Sequence, residues 1–123
     1  LISDVEEGIR IRGDEKELRR LLGILLDNAD KYSPEGGRAR VCLRQIPGRK
    51  VRLTVANTGA EIPKEKLEGI FERFYRSDSS RSDQKGYGLG LAIARSVVER
   101  HQGTIRAEAS EGENRFIVEF KTV

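Results

Sequence analysis

Gly86-Tyr87-Gly88-Leu89-Gly90-Leu91-Ala92-Ile93 sets three glycines at alternate positions directly before an apolar pattern of helical spacing. Glycines admit positive φ and let backbone come close to a ligand, while a helix start offers unpaired N–H groups and the positive end of a dipole. The junction suits a phosphate; the same glycines also suit a tight turn or a close packing contact. Upstream, Leu18 to Tyr32 reads as an amphipathic helix ending in Asp27-Asn28-Ala29-Asp30-Lys31-Tyr32. That helix end carries an oxygen ligand, a cation and an aromatic ring close together.

Outward from these two stretches, Asp14 with Glu17 three residues later marks a helix start, and Leu18, Leu21, Leu22, Leu25, Leu26 and Ala29 recur at the spacing of one buried face. Ser33-Pro34-Glu35-Gly36-Gly37 ends that helix. Val41 and Leu43, then Val51, Leu53 and Val55, alternate with polar residues around Pro47-Gly48 and predict an antiparallel hairpin. A short helix is expected near Lys64 to Phe71. Ser77 to Lys85 holds no large apolar residue, so it is expected to be mobile and, beside the glycine turn, to act as a lid. Leu89, Ile93, Val97 and Val98 predict a second long helix ending near His101-Gln102-Gly103. Ile105, Ala107 and Ala109, then Phe116, Val118 and Phe120, predict a closing hairpin around Glu111-Gly112-Glu113-Asn114. These proportions give an α+β two-layer sandwich, a mixed sheet on one side and helices on the other.

The 123 residues, 37% of them hydrophobic, suffice for one domain with a real core and not for two of ordinary size. Charged residues make up 35%, but 23 Lys and Arg against 20 Asp and Glu leave a formal net charge of only +3, so nucleic-acid binding is disfavoured. Lone Cys42 excludes an internal disulfide and fits a reducing compartment. No run approaches the length of a membrane span, and Leu1 to Glu7 lacks the regions of a signal peptide, so this piece is expected to be soluble. It begins without Met, as a fragment of a longer protein would.

Taken in order, these segments resemble the ATP-binding catalytic domain of bacterial sensor histidine kinases, within the gyrase, chaperone, kinase and mismatch-repair ATPase superfamily. Leu25 to Pro34 looks like the family's N box, Asn57-Thr58-Gly59-Ala60-Glu61-Ile62-Pro63 its first glycine box, Ile70-Phe71-Glu72-Arg73-Phe74-Tyr75-Arg76 its F box, and Gly86 to Ile93 its second glycine box. The resemblance implies a Bergerat-type fold with a mostly antiparallel sheet, one domain over residues 1–123 and an ATP lid near 76–88. It implies ATP and Mg²⁺ as cofactors. Asn28 would offer its oxygen to Mg²⁺, which takes few protein ligands when phosphates supply the rest. Lys31 would neutralise phosphate charge, and Tyr32 would lie against the adenine. Asn57, Gly59 and Ile62 would belong to the base side. Gly86, Tyr87, Gly88, Leu89 and Gly90 would surround the triphosphate, and Arg76 would hold the γ-phosphate or help dock the domain.

Phosphoryl transfer asks a protein mainly for positioning and charge neutralisation, so no internal nucleophile is needed. The implied acceptor is a histidine in a separate dimerisation domain of the same protein, and the implied next partner is a response regulator. The resemblance further implies a homodimeric, membrane-anchored parent with this domain in the cytoplasm. His101, at a helix end before Gln102-Gly103, lacks an acceptor's surroundings and is assigned a structural or capping role.

Two departures from the family pattern matter. Ile24 stands one turn before Asn28, where gyrase-like and chaperone ATPases carry a water-activating glutamate, so negligible hydrolysis is expected. The usual Asp-x-Gly-x-Gly reads Asn57-Thr58-Gly59-Ala60-Glu61, which lacks both the acid and the second glycine. An amide exchanges a charge-assisted bond to the adenine amino group for a neutral one, a loss of roughly 1 kcal/mol. Because an amide can also turn to face guanine, weakened discrimination between ATP and GTP is expected. The intact Asn28, Lys31 and glycine turn oppose the remaining alternative, a degenerate, nucleotide-independent interaction module.

Overall fold

In a computed structural model that describes residues 2–32, 37–67, 69–72 and 89–122, the order of elements is β1 (Ile2–Val5), α1 (Glu15–Tyr32), β2 (Ala39–Ile46), β3 (Lys50–Thr58), α2 (Lys64–Leu67), α3 (Gly90–Arg100), β4 (Thr104–Ser110) and β5 (Glu113–Lys121). The strands form one sheet in the order β1-β2-β3-β5-β4, with β1 parallel to β2 and the other pairs antiparallel. This is the mixed, mostly antiparallel sheet packed against helices that the apolar patterns predict.

Asp14 caps α1, its Oδ1 accepting from the backbone N–H of Lys16 at 2.9 Å and of Glu17 at 3.2 Å. The helix thus starts three residues before Leu18. Leu21, Leu25 and Ala29 recur every four residues on its buried face, and Leu91, Ala94, Val97 and Val98 do the same work on α3. Both stripes meet Val41, Val51, Val55, Phe116, Val118 and Phe120 on the inner face of the sheet, in one core cluster. Leu22, expected on the buried face, is exposed. It borders an apolar groove of about 340 Å³ between the sheet and the first half of α1, lined also by Val5, Ile9, Ile11 and Leu18.

Two boundaries differ from expectation, and the end of α3 falls where expected. Helix α2 stops at Leu67, because Ile70 and Phe71 turn into the core, where the Phe71 ring meets Phe116 edge-on at 6.4 Å. The closing hairpin turns on Glu111 and Gly112 alone, both at positive φ as a two-residue turn requires, so Asn114 lies within β5 and not in the loop. Helix α3 ends with the left-handed residue at Gln102, φ 60°, one position earlier than the glycine. Gly103 answers a different need: a Cβ there would sit 2.5 Å from the Glu119 carbonyl oxygen.

His101 links the two long helices. Its Nε2 accepts the N–H of Asp14 at 3.1 Å, which leaves Nδ1 to donate to the Val97 carbonyl at 2.8 Å. Arg100 pairs with Glu17 beside it, so the end of α3 is fastened to the start of α1. The structural role assigned to this histidine has a geometry: it holds the helices in register end to end.

The outer face of the sheet carries a chain of ion pairs, Arg40–Glu113 at 3.0 Å, Glu113–Arg115 at 3.1 Å, Arg106–Glu108 at 3.0 Å and Arg52–Glu119 at 2.9 Å among them. Burial works against ionisation of Glu113, yet hydrogen bonds from Arg40 and Arg115 outweigh it and hold the carboxyl below the usual range. The Arg52 hydrogen bond does the same for Glu119. These long side chains cover outer-face Ala56 and Ile117, which are buried although they face away from the core.

Candidate functional site

Asn57, expected on the base side, lies near the end of β3 and is the direct cross-strand partner of Asn114 on β5, and each is 0% exposed. They are the two fully buried polar side chains among the described residues. Asn114 is bonded at both ends of its amide by the loop that follows β3: its Oδ1 accepts from Ile62 N–H at 2.8 Å and its Nδ2 donates to Ala60 O at 2.9 Å. Asn57 donates through Nδ2 to Thr58 O at 3.4 Å, and its Oδ1 finds no partner among the described residues. A buried acceptor left unfilled costs about 1–3 kcal/mol, so Asn57 Oδ1 is a polar atom whose partner the described residues do not supply.

Gly59, at φ 149°, occupies a region that side chains avoid, which explains the first glycine of the box. Its N–H donates to Gly112 O at 3.0 Å. Glu61, where the family has a second glycine, is accommodated because its side chain leaves the loop outward and accepts Gly112 N–H through Oε2 at 2.8 Å. Neither Asn114 nor this Glu61 bond is legible in the local sequence, since both span more than fifty residues.

The described residues expected at the phosphates sit on the two long helices. Asn28 lies one turn after Ile24 on α1, and its Nδ2 is buried without a hydrogen-bond partner among the described residues. Lys31 is exposed at the end of the same helix; Tyr32 closes the helix, and its ring lies outside the described residues. Helix α3 begins at Gly90 behind Leu89, which offers no side-chain cap. A Cβ on Gly90 would make only ordinary contact with Ile24 at 3.6 Å, so no described neighbour forces glycine there. The same distance places the start of α3 against α1, one turn from Asn28, with hydrocarbon where a general base would stand. Arg76, Gly86, Tyr87 and Gly88, and the lid expected near 76–88, lie outside the described residues. Of the F box, Ile70 and Phe71 are buried and Glu72 bonds Arg95 of α3 at 3.2 Å, which ties the box to that helix.

The base-side asparagine and loop therefore stand at the end of β3, and the amide and uncapped helix start at the junction of α1 with α3. The apolar groove is not part of either, since it adjoins the first half of α1 and Asn28 belongs to the second. No described helix is long and apolar enough to cross a membrane.

The model of the histidine kinase-, DNA gyrase B- and HSP90-like ATPase family matches residues 13–123. Sensor protein DltS of Streptococcus agalactiae is 38% identical over 115 residues, which cover 94% of this chain and 29% of that protein. The mycobacterial sensor histidine kinase MprB superposes with a TM-score of 0.89 at 35% identity, covering 98% of this chain and 82% of the solved one. A complex of histidine kinase ThkA with the response regulator protein TrrA contains a further likeness, TM-score 0.81 at 29% identity, covering 99% of this chain and 34% of that one. The chain spans less than a third of the length of the curated relatives it matches. The chain therefore belongs to the histidine kinase-, DNA gyrase B- and HSP90-like ATPase family, in its sensor histidine kinase branch.

Proposed function

We propose that residues 1–123 are one catalytic and ATP-binding unit, closed by a lid near 76–88, which donates the γ-phosphoryl group of ATP to a histidine in the dimerisation domain of its own parent protein. The observation that carries this reading is the buried Asn57 oxygen without a partner, an acceptor matched to the amino group of adenine. Gly59 and Ile62 shape the loop beside it, and the Tyr32 ring covers the base. Asn28 would hold Mg²⁺ through its amide oxygen, and the bound ion would neutralise phosphate charge. Lys31, Arg76 and the residues Gly86, Tyr87, Gly88, Leu89 and Gly90 hold the phosphates, with the uncapped start of α3 adding its dipole.

Ile24 has no proton acceptor, so water near the γ-phosphate is not activated and transfer to an external imidazole is favoured over hydrolysis. The likeness to a kinase bound to its response regulator supports the same partner class for this chain. The parent is a membrane-anchored homodimer with this unit on the cytoplasmic side. No observation favours the nucleotide-independent alternative. Calorimetry with Mg²⁺ and a non-hydrolysable ATP analogue tests the core of the reading, with binding that requires the metal as the expected result. The expected phosphate release from ATP by the chain alone is negligible, and rapid release abolished by Asn28→Ala would overturn the kinase assignment.

A further inference from the structure

An amide in place of a carboxylate reads adenine only if something keeps its oxygen, and not its nitrogen, turned toward the base. The Thr58–Gly59 peptide is that device. In a planar trans peptide the C=O and N–H point in opposite directions, so fixing one aims the other. Gly59 N–H is fixed on Gly112 O at 3.0 Å, and Thr58 O, on the other side of the same plane, receives Asn57 Nδ2 at 3.4 Å. Turning the Asn57 amide over would set its oxygen against the Thr58 carbonyl, two acceptors with no proton between them, inside a fully buried site. Thr58 itself cannot drift, because its N–H donates to Arg38 O at 2.9 Å and its Oγ1 accepts from Arg38 N–H at 2.8 Å.

The turn that supplies Gly112 O is in turn held from the loop. Gly112 N–H donates to Glu61 Oε2 at 2.8 Å, and Asn114 spans Ala60 and Ile62 two residues further along the hairpin. We propose that the β4–β5 turn and Glu61 form a clasp that sets the Thr58–Gly59 peptide and thereby locks the Asn57 amide with its oxygen free, so that this chain selects adenine over guanine without the family's aspartate. The inference rests on the nucleotide reading above. It reverses the relaxed ATP and GTP discrimination expected from the amide alone, and it makes Glu61 and Asn114 positioning residues that touch no nucleotide.

The test is the ratio of Kd for GDP to Kd for ADP, measured by calorimetry with Mg²⁺. The wild-type chain is expected to favour ADP by at least about tenfold, the penalty of facing guanine with an unpaired acceptor. Glu61→Ala should cut that ratio about threefold to fivefold by freeing the turn, whereas Glu61→Gln, which still offers an oxygen to Gly112 N–H, restores it. Glu61 is exposed, so neither change threatens the core. In an Asn57→Asp background the carboxylate has no orientation to lose, and Glu61→Ala should leave the ratio unmoved; a merely structural loss would act in both backgrounds. A wild-type ratio below about threefold, a ratio indifferent to Glu61→Ala, or the same drop with Asn57→Asp overturns the clasp. Failure of the wild-type chain to bind ADP at all removes the nucleotide reading and the clasp with it.

Discussion

The two ends of the site are finished to different degrees. Around Asn57, loop, turn and buried amide are joined by four hydrogen bonds of 2.8 to 3.0 Å, and one oxygen alone is left over. Around Asn28 the protein supplies packing instead: apolar stripes of α1 and α3, an amide nitrogen without a partner and a helix start without a side-chain cap. The end proposed for the base is preset by polar bonds, and the end proposed for the phosphates by helix position. Specificity needs fixed donors and acceptors, whereas a charged phosphate and its metal can be gripped by groups that settle on it.

The sharpest way to break that contrast is Leu25→Ala, which removes a fully buried side chain from the α1 stripe just before Asn28. A loss of about 2–5 kcal/mol in urea denaturation is expected, because the cavity falls in the core that both helices share with the sheet. Asn28→Ala comes next, with Mg²⁺-dependent binding of ADP weakened roughly tenfold to a hundredfold, the range for hydrogen bonds and ligands to charged groups. If metal dependence survives intact, the phosphate side is not organised around this amide. Asn57→Ala tests the other end and should weaken ADP about fivefold while leaving metal dependence alone.

The smallest effect sharpens the contrast by a control outside the site. Glu113 and Glu119 titrate lower in the folded chain than in the unfolded one, so their contribution to stability is complete above the ordinary carboxylate range and is lost as pH falls through their lowered values. Acid titration of stability should therefore be flatter in Glu119→Gln, while nucleotide selectivity at neutral pH stays as it was. The partners are largely at the surface, and the effect is modest for that reason.

How much of this was legible in the chain follows from range. The α1 stripe from Leu21 to Ala29 and the strands around Pro47-Gly48 announce themselves through periodicity, which is a local property. Leu22 satisfies the same spacing but lies beyond the edge of the buried face, since the stripe says how apolar residues are arranged and not how wide a surface will cover them. Asn57 and the glycine junction could be singled out because they stand in recognisable motifs. Asn114 could not: its meaning lies in Ala60 and Ile62, residues that only the β3–β5 register brings opposite it. Glu61 stands where the family pattern has a glycine, and only the distant Gly112 N–H gives it a supporting role.

The chain of Arg and Glu pairs on the outer face has a consequence away from the site. Strands β1 and β4 end the sheet with unpaired backbone edges among the described residues, the kind of border that invites another strand to zip on. Arg106 and Glu108 on β4, and Asp4 with Arg44 beside β1, crowd those borders with alternating charge, so a second molecule would have to strip both partners of water before it could add to the ladder. What protects this small sheet from growing into a fibre is therefore its own salt lattice.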